Sequence, residues 1–307
     1  MTRTIKSAAF LSSLIVAMSL AGADAATSSG GSPAATNRNA ANSAVDRQKK
    51  ASQDDAQKTL INDAVVAISE TQKASDALSK GDSTAALAAL ERATGKLDLL
   101  LARNPSTALL PVRVETIAVE SAPADIATIK QISDRAQRAL AAKDYPLARV
   151  LLGSLQDEIR VRTYNLPLAT YPQAIKDAAR LIDEKKISDA SNVLTTALNT
   201  LVLVDHVFPE PTIKAQAAVQ VAESLKTKKK AESLRLVDSA KQELARAEAL
   251  GYAGKDDPEF SALQASVENV DKQLRTDHGL VSFDDLKSKL ANFFKHQSQT
   301  GKSNTNR

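Results

Sequence analysis

Apolar positions in this chain recur with the period of a helix. Ala148, Leu151, Leu152, Leu155 and Ile159 are spaced 3, 1, 3 and 4, and Ala190, Val193, Leu194, Ala197, Leu198 and Leu201 keep the same rhythm. Such spacing lines one face of a helix with about 3.6 residues per turn. Four runs of this kind share a lysine five residues ahead of an alanine: Lys80 and Ala85, Lys143 and Ala148, Lys185 and Ala190, Lys226 and Ala231. An earlier stripe ends at the lysine in each case that can be followed. Ile126, Ile129, Ile132, Ala136, Ala139 and Leu140 precede Lys143, and Ile175, Ala178, Ala179 and Ile182 precede Lys185. Ala217, Ala218, Val221, Ala222 and Leu225 precede Lys226. Each unit therefore reads as helix, short polar turn, helix. The lysine sits near a helix C-terminus, where positive charge is favoured, and the alanine lets the second helix approach the first. The units follow at intervals of 63, 42 and 41 residues. This predicts an all-α chain of antiparallel helical hairpins, arranged either as a compact bundle or as a short helical-repeat array.

Two stretches break the helical rhythm. Leu110–Glu120 and Ile159–Tyr164 are rich in β-branched residues and could pair near Val112 and Val161 as a small two-stranded β-ribbon, or run as extended connectors. Pro172 and Pro258 stand where first helical turns begin, with Thr170 and Asp257 as nearby caps. Ser282 with Asp285 resembles a capping box and opens a last helix whose apolar face holds Phe283, Leu286, Leu290, Phe293 and Phe294. That face needs cover from its own domain, a second subunit or a membrane. Asp284 and Asp285 on its polar side disfavour anionic lipid, which favours docking on the hairpin block or on a partner subunit, and the helix is expected to contribute to self-association.

Composition agrees with helices packed through small side chains. Aromatic residues make up 3% of the chain, tryptophan is absent, and Ala and Leu dominate a 43% hydrophobic share. The first residues run from Arg3 and Lys6 through the uncharged stretch Ala8–Gly22 to Ala23-Asp24-Ala25. That order is the pattern of a signal peptide over residues 1–25, cleaved before Ala26, and it places the mature protein in the periplasm. The apolar run of 15 residues is short of the ~20 that span a bilayer, so no stable membrane span is expected after cleavage; retention of the leader as an anchor is the alternative. The net charge of +4 falls to +3 without the leader, too small an excess to point to nucleic acid. The chain has no cysteine, which excludes disulfides, a lipid-modified N-terminal cysteine, thiol chemistry and cysteine zinc sites. Residues 26–50 and 296–307 are polar and nearly free of large apolar side chains. They are expected to be a disordered linker and tail, flanking a helical domain over 51–277 and the amphipathic helix at 278–295.

Ala148-Arg149-Val150-Leu151-Leu152, Asp157-Glu158-Ile159 and Leu166-Pro167-Leu168-Ala169-Thr170-Tyr171-Pro172 together resemble the signature of the YfdX family. Ala197-Leu198-Asn199-Thr200-Leu201-Val202, Leu250-Gly251-Tyr252 and the Pro209-Glu210-Pro211 turn also fit, although the family more often has a hydrophobic residue where Glu210 stands. The likeness runs over about residues 55 to 275. It implies an exported, mostly helical bacterial domain with no established enzymatic activity, associated with stress and with a protective or binding role in the periplasm.

No residue pattern for catalysis emerges. His206, His278 and His296 are far apart, and none has a second histidine or a carboxylate at i+3 or i+4 arranged as a ligand pair, so neither a metal nor a cofactor is expected. Phosphate-binding glycine loops and Gly-x-Ser-x-Gly elbows are absent. Asp157-Glu158 and Asp183-Glu184 are adjacent carboxylates; neighbours on a helix point apart, which makes them solvated faces. Two places invite a binding reading. Arg160, Arg162, Tyr164 and Tyr171 surround the Leu166-Pro167-Leu168 connector as a candidate groove, and Lys226, Lys228, Lys229 and Lys230 crowd one turn as a candidate contact with anionic envelope surfaces. The expected role is a non-catalytic, chaperone-like interaction protein whose partners are unfolded or envelope proteins and a second copy of itself. A small-molecule binding module is the alternative.

Overall fold

The computed structural model describes residues 33–254, 256–276 and 281–300. The expected leader, His278 and most of the expected tail lie outside them. The helices are α1 Pro33–Lys58, α2 Asn62–Ser79, α3 Ser83–Arg103, α4 Ile126–Ala141, α5 Tyr145–Gly153 and α6 Tyr171–Asp183. They continue with α7 Ile187–Asn199, α8 Glu210–Leu225, α9 Lys230–Ala249, α10 Pro258–Thr276 and α11 Asp284–Thr300. Three strands, β1 Leu109–Glu120, β2 Asp157–Pro167 and β3 Val202–Pro209, follow the hairpins α2–α3, α4–α5 and α6–α7. The predicted helical hairpins are thus present, and the repeated unit is helix, turn, helix, strand.

The three hairpins close with one kind of turn. Gly81, Lys143 and Lys185 hold left-handed backbone at φ 76°, 59° and 60°. At each, two amides fold back on the preceding helix: Lys143 N donates to Leu140 O at 3.0 Å and Asp144 N to Ala139 O at 2.8 Å, with equivalent bonds at Gly81 and Lys185. A lysine in this region costs about 1–2 kcal/mol, which the packing of the hairpin offsets. Five residues on stand Ala86, Ala148 and Ala190, all buried. The pairing of Lys80 with Ala85 is therefore one residue out of register, and Ala85 is exposed. The α8–α9 turn is built differently. There Ser233, not the exposed Ala231, meets the preceding helix, its hydroxyl donating to Ala222 O at 2.7 Å.

The sheet has three strands in the order β1–β2–β3, all antiparallel, where two were expected. Val202–Pro209 lies directly behind the α7 stripe, and the rhythm of that stripe masked it. The linker expectation also fails from Pro33 onward, where α1 begins. Its few apolar side chains suffice because Ala44 and Val45 pack against Ile159 of β2 and Ile213 and Ala217 of α8. The last helix runs to Thr300, five residues into the expected tail. Asp257 caps α10 as expected, accepting from Glu259 N and Phe260 N, whereas Thr170 makes no side-chain cap bond. Ser282 Oγ bonds Asp284, and Asp285 instead accepts from Ser266 and Lys289, so no capping box forms.

The hairpins do not stack in chain order. Hairpin α2–α3 packs on α6–α7 across a core of small residues, among them Ala67, Ala74, Ala89, Ala178 and Ala197, with Leu90, Leu97, Ile175 and Leu194. A second core joins α8, α9, α10 and α11. In it Phe283, Leu286, Leu290 and Phe293 are covered by their own chain, with Phe293 against Phe260 at 5.4 Å. The α11 face is therefore covered within the molecule, the first of the destinations expected for it. Hairpin α4–α5 contributes to neither core and leans on α9. Among the described residues no helix is long and apolar enough to cross a membrane.

Candidate functional site

Alternation along β2 puts Arg160, Arg162 and Tyr164 on one side of the sheet, and each is already engaged there. Arg162 donates to both oxygens of Asp205 on β3, at 2.8 and 2.9 Å. That paired bond, with the positive charge behind it, holds the Asp205 carboxyl below the usual range. Arg160 bonds Glu158. The Tyr164 hydroxyl donates to Glu115 at 2.7 Å while the Arg113 guanidinium lies 3.7 Å above its ring. Tyr171 is placed differently, although Tyr164 packs against the core that holds it. It opens α6 within the α2–α3/α6–α7 core, where burial pushes its phenol up to about 12. Its ring borders a separate cleft of about 420 Å³ with Ala174, Val193, Thr196 and Ala197. The four side chains therefore do not line one groove.

The lysine turn is also partly committed. Lys226 donates to Val281 O at 2.8 Å and lies 5.6 Å from the Phe283 ring centre, clasping the start of α11. Lys229 pairs with Glu232, Lys230 is half-buried as the first residue of α9, and Lys228 is exposed. Among the histidines, His206 faces Val161 across β2–β3, and His296 Nδ1 lies 2.9 Å from Glu259. Among the described residues no group of three or more His, Cys, Asp or Glu side chains is placed to hold a metal ion.

A buried charge cluster was not foreseen. Asp157 and Glu158, expected on a solvated face, begin β2 and are buried. Arg246 of α9 bonds Asp157 and donates to the Ala122 and Pro123 carbonyls at 3.2 Å, just ahead of α4. Lys214 of α8 lies 2.8 Å from Glu210 and 3.9 Å from Asp157. The Tyr252 hydroxyl donates to Glu158 at 2.9 Å and accepts from Asp157 N. Glu243 stands 3.9 Å from Arg246. Three carboxylates, those of Asp157, Glu210 and Glu243, thus face two cations. Burial pushes the carboxyls of Glu210 and Glu243 up from their ordinary value. No local pattern announces such a cluster, because its members come from β2, α8, α9 and the turn after α9. The motifs of the family resemblance take in Asp157, Glu158, Glu210 and Tyr252, whereas Lys214, Glu243 and Arg246 stand in none of them.

The raised Glu243 carboxyl has a sign that can be tested. Below the ordinary value of 4.5 the group is neutral in folded and unfolded chains alike, and as pH rises above it ionisation costs stability only in the fold. Glu243→Gln is expected to raise the urea midpoint near neutral pH. The gain should shrink toward zero as pH falls through the carboxylate range, and urea titrations along a pH series check it.

The hairpin α4–α5 offers the opposite environment. Leu140, Tyr145, Leu147, Val150 and Leu152 are exposed, Tyr145 to 59% and Val150 to 70%. Only Ile129, Ala136, Ala139, Ala148 and Leu151 within the two helices are buried, at the seam between them and toward the rest of the molecule.

Residues 67–207 match the family model described as YfdX protein. That segment is a YfdX domain. No curated protein matches the chain. Among solved structures, one of Salmonella Typhi YfdX shares 14% identity and covers 48% of this chain and 91% of its own, with a TM-score of 0.33. The YfdX match begins within α2 and ends in β3, so it takes in the three hairpin-strand units and stops before α8. The buried charge cluster lies across that boundary. Asp157 and Glu158 belong to the YfdX segment, and Glu210, Lys214, Glu243, Arg246 and Tyr252 follow it.

Proposed function

We propose that this YfdX-domain chain is a non-catalytic, stress-associated interaction protein of the bacterial periplasm, presenting a surface to other envelope components and turning over no substrate. The observation that carries this reading is the α4–α5 hairpin, which exposes five large apolar side chains and lies outside the cores that hold the other helices. Exposed apolar side chains grouped on one element mark interaction sites on soluble proteins. The charged groups of the buried cluster are engaged with one another, which supports a structural and not a catalytic use for them. The stress-associated, chaperone-like form of the role comes from the family resemblance, and the leader pattern supports the compartment. Suppression of the aggregation of an unfolded client is the test. The chain from Ala26 onward should protect the client, and Leu147→Ser/Val150→Ser should weaken protection while leaving the circular dichroism spectrum unchanged. Equal protection by the variant, or none by the parent chain, would overturn the reading. A second reading, binding of a small apolar molecule, is favoured only by the cleft beside Tyr171.

A further inference from the structure

We infer that the α4–α5 hairpin docks on the surface of an anionic phospholipid bilayer; this rests on the reading of the hairpin as the interaction surface. Residues 140–147 at its tip are all exposed, so the hairpin presents a convex end. A peptide partner is gripped in a groove or along a sheet edge, and the tip offers neither. A bilayer surface needs no groove. It accepts apolar side chains into the boundary of its hydrocarbon and holds cations at its phosphates.

Charge decides between a bilayer and a second copy of the chain. Ile126–Gly153 carries five cations, Lys130, Arg135, Arg138, Lys143 and Arg149, against two carboxylates, Asp134 and Asp144. Two such surfaces face to face would repel. All five cations are exposed, and none forms an ion pair among the described residues. Elsewhere several cations of the hairpins are paired, such as Arg92 with Glu70 and Arg180 with Glu184. Asp144 is further occupied as the cap of α5, accepting from Leu147 N at 3.2 Å. Leu140, Tyr145, Leu147 and Val150 enter the interface, with Arg138 and Arg149 at the phosphates. The lysine turn at 226–230 lacks this combination, since Lys226 and Lys229 are engaged within the chain.

Cosedimentation with vesicles tests the inference. The chain from Ala26 onward should bind vesicles of phosphatidylglycerol and phosphatidylcholine in equal parts, ignore pure phosphatidylcholine, and release as salt rises. Arg138→Gln/Arg149→Gln should lower partitioning about 25-fold, since each cation near an anionic surface is worth about fivefold. Leu147→Ser/Val150→Ser should lower it about tenfold or more, and Lys228→Gln should leave it unchanged. Binding that survives both hairpin variants, or that falls with Lys228→Gln, overturns the inference. Failure to bind the anionic vesicles, with client protection still lost in Leu147→Ser/Val150→Ser, overturns the lipid partner and leaves the interaction role standing. If neither vesicles nor client respond to the hairpin variants, both are overturned.

Discussion

Arg246→Met is expected to destabilise the fold by about 3–5 kcal/mol, because it leaves the buried Asp157 carboxylate with no cation nearer than Lys214 at 3.9 Å. The Arg246 side chain is 11% exposed and that of Asp157 3%, so water cannot replace the lost partner. The guanidinium also holds the Ala122 and Pro123 carbonyls at the entry to α4. Its removal therefore loosens the attachment of the α4–α5 hairpin along with the cluster. Urea unfolding followed by circular dichroism checks this, and a midpoint shift equivalent to less than about 1 kcal/mol would place Asp157 in contact with solvent after all. Asp157→Asn in the same background supplies the cycle. With the carboxylate neutralised, the cost of losing Arg246 should shrink, since the two changes remove one interaction.

Phe283→Ala should cost about 3–5 kcal/mol, the range for deleting a buried phenylalanine. The ring is fully buried beside Lys226, in the core that joins α11 to α8, α9 and α10. Nothing nearby is free to collapse into the space, because Leu286, Leu290 and Phe293 are held by the same helix. The expected signature is a lower unfolding midpoint with unchanged mass by light scattering. A face that served a second subunit would give the reverse, a lower mass with an unchanged midpoint at low protein concentration. Phe294→Ala should cost less, since Phe294 is only partly buried where it meets Phe208 at 5.6 Å.

Local periodicity made the hairpins legible. A stripe of period near 3.6 can be buried by only one kind of element, so α4 to α9 follow from their apolar positions, and the ribbon near Val112 and Val161 follows from its β-branched residues. The turn chemistry was legible only in part. Lys143 and Lys185 were marked because they end a stripe, but their left-handed backbone is the property that Gly81 shares with them, and a lysine does not announce it. The YfdX resemblance was carried mostly by motifs within residues 67–207, which match the family, while Pro209-Glu210-Pro211 and Leu250-Gly251-Tyr252 lie beyond that segment.

What the amino-acid order determined by itself is everything that one element can express alone: the helical stripes, the turns between them, the amphipathic last helix and the absence of cysteine chemistry. Tertiary structure decided whatever depends on a distant partner. Residues 33–50 form a helix because β2 and α8 give Ala44 and Val45 somewhere to pack. Asp157 and Glu158 are buried because Arg246 and Tyr252 arrive from almost a hundred residues away. Arg162 and Tyr164 are taken up by Asp205 and Glu115 across the sheet, and Arg160 by Glu158 on its own strand. The apolar side chains of α5 remain exposed for the same reason in reverse, since a stripe predicts that a face wants cover and only the fold shows whether another element supplies it. Burial and ion pairing are properties of two surfaces at once, and a linear pattern specifies one of them.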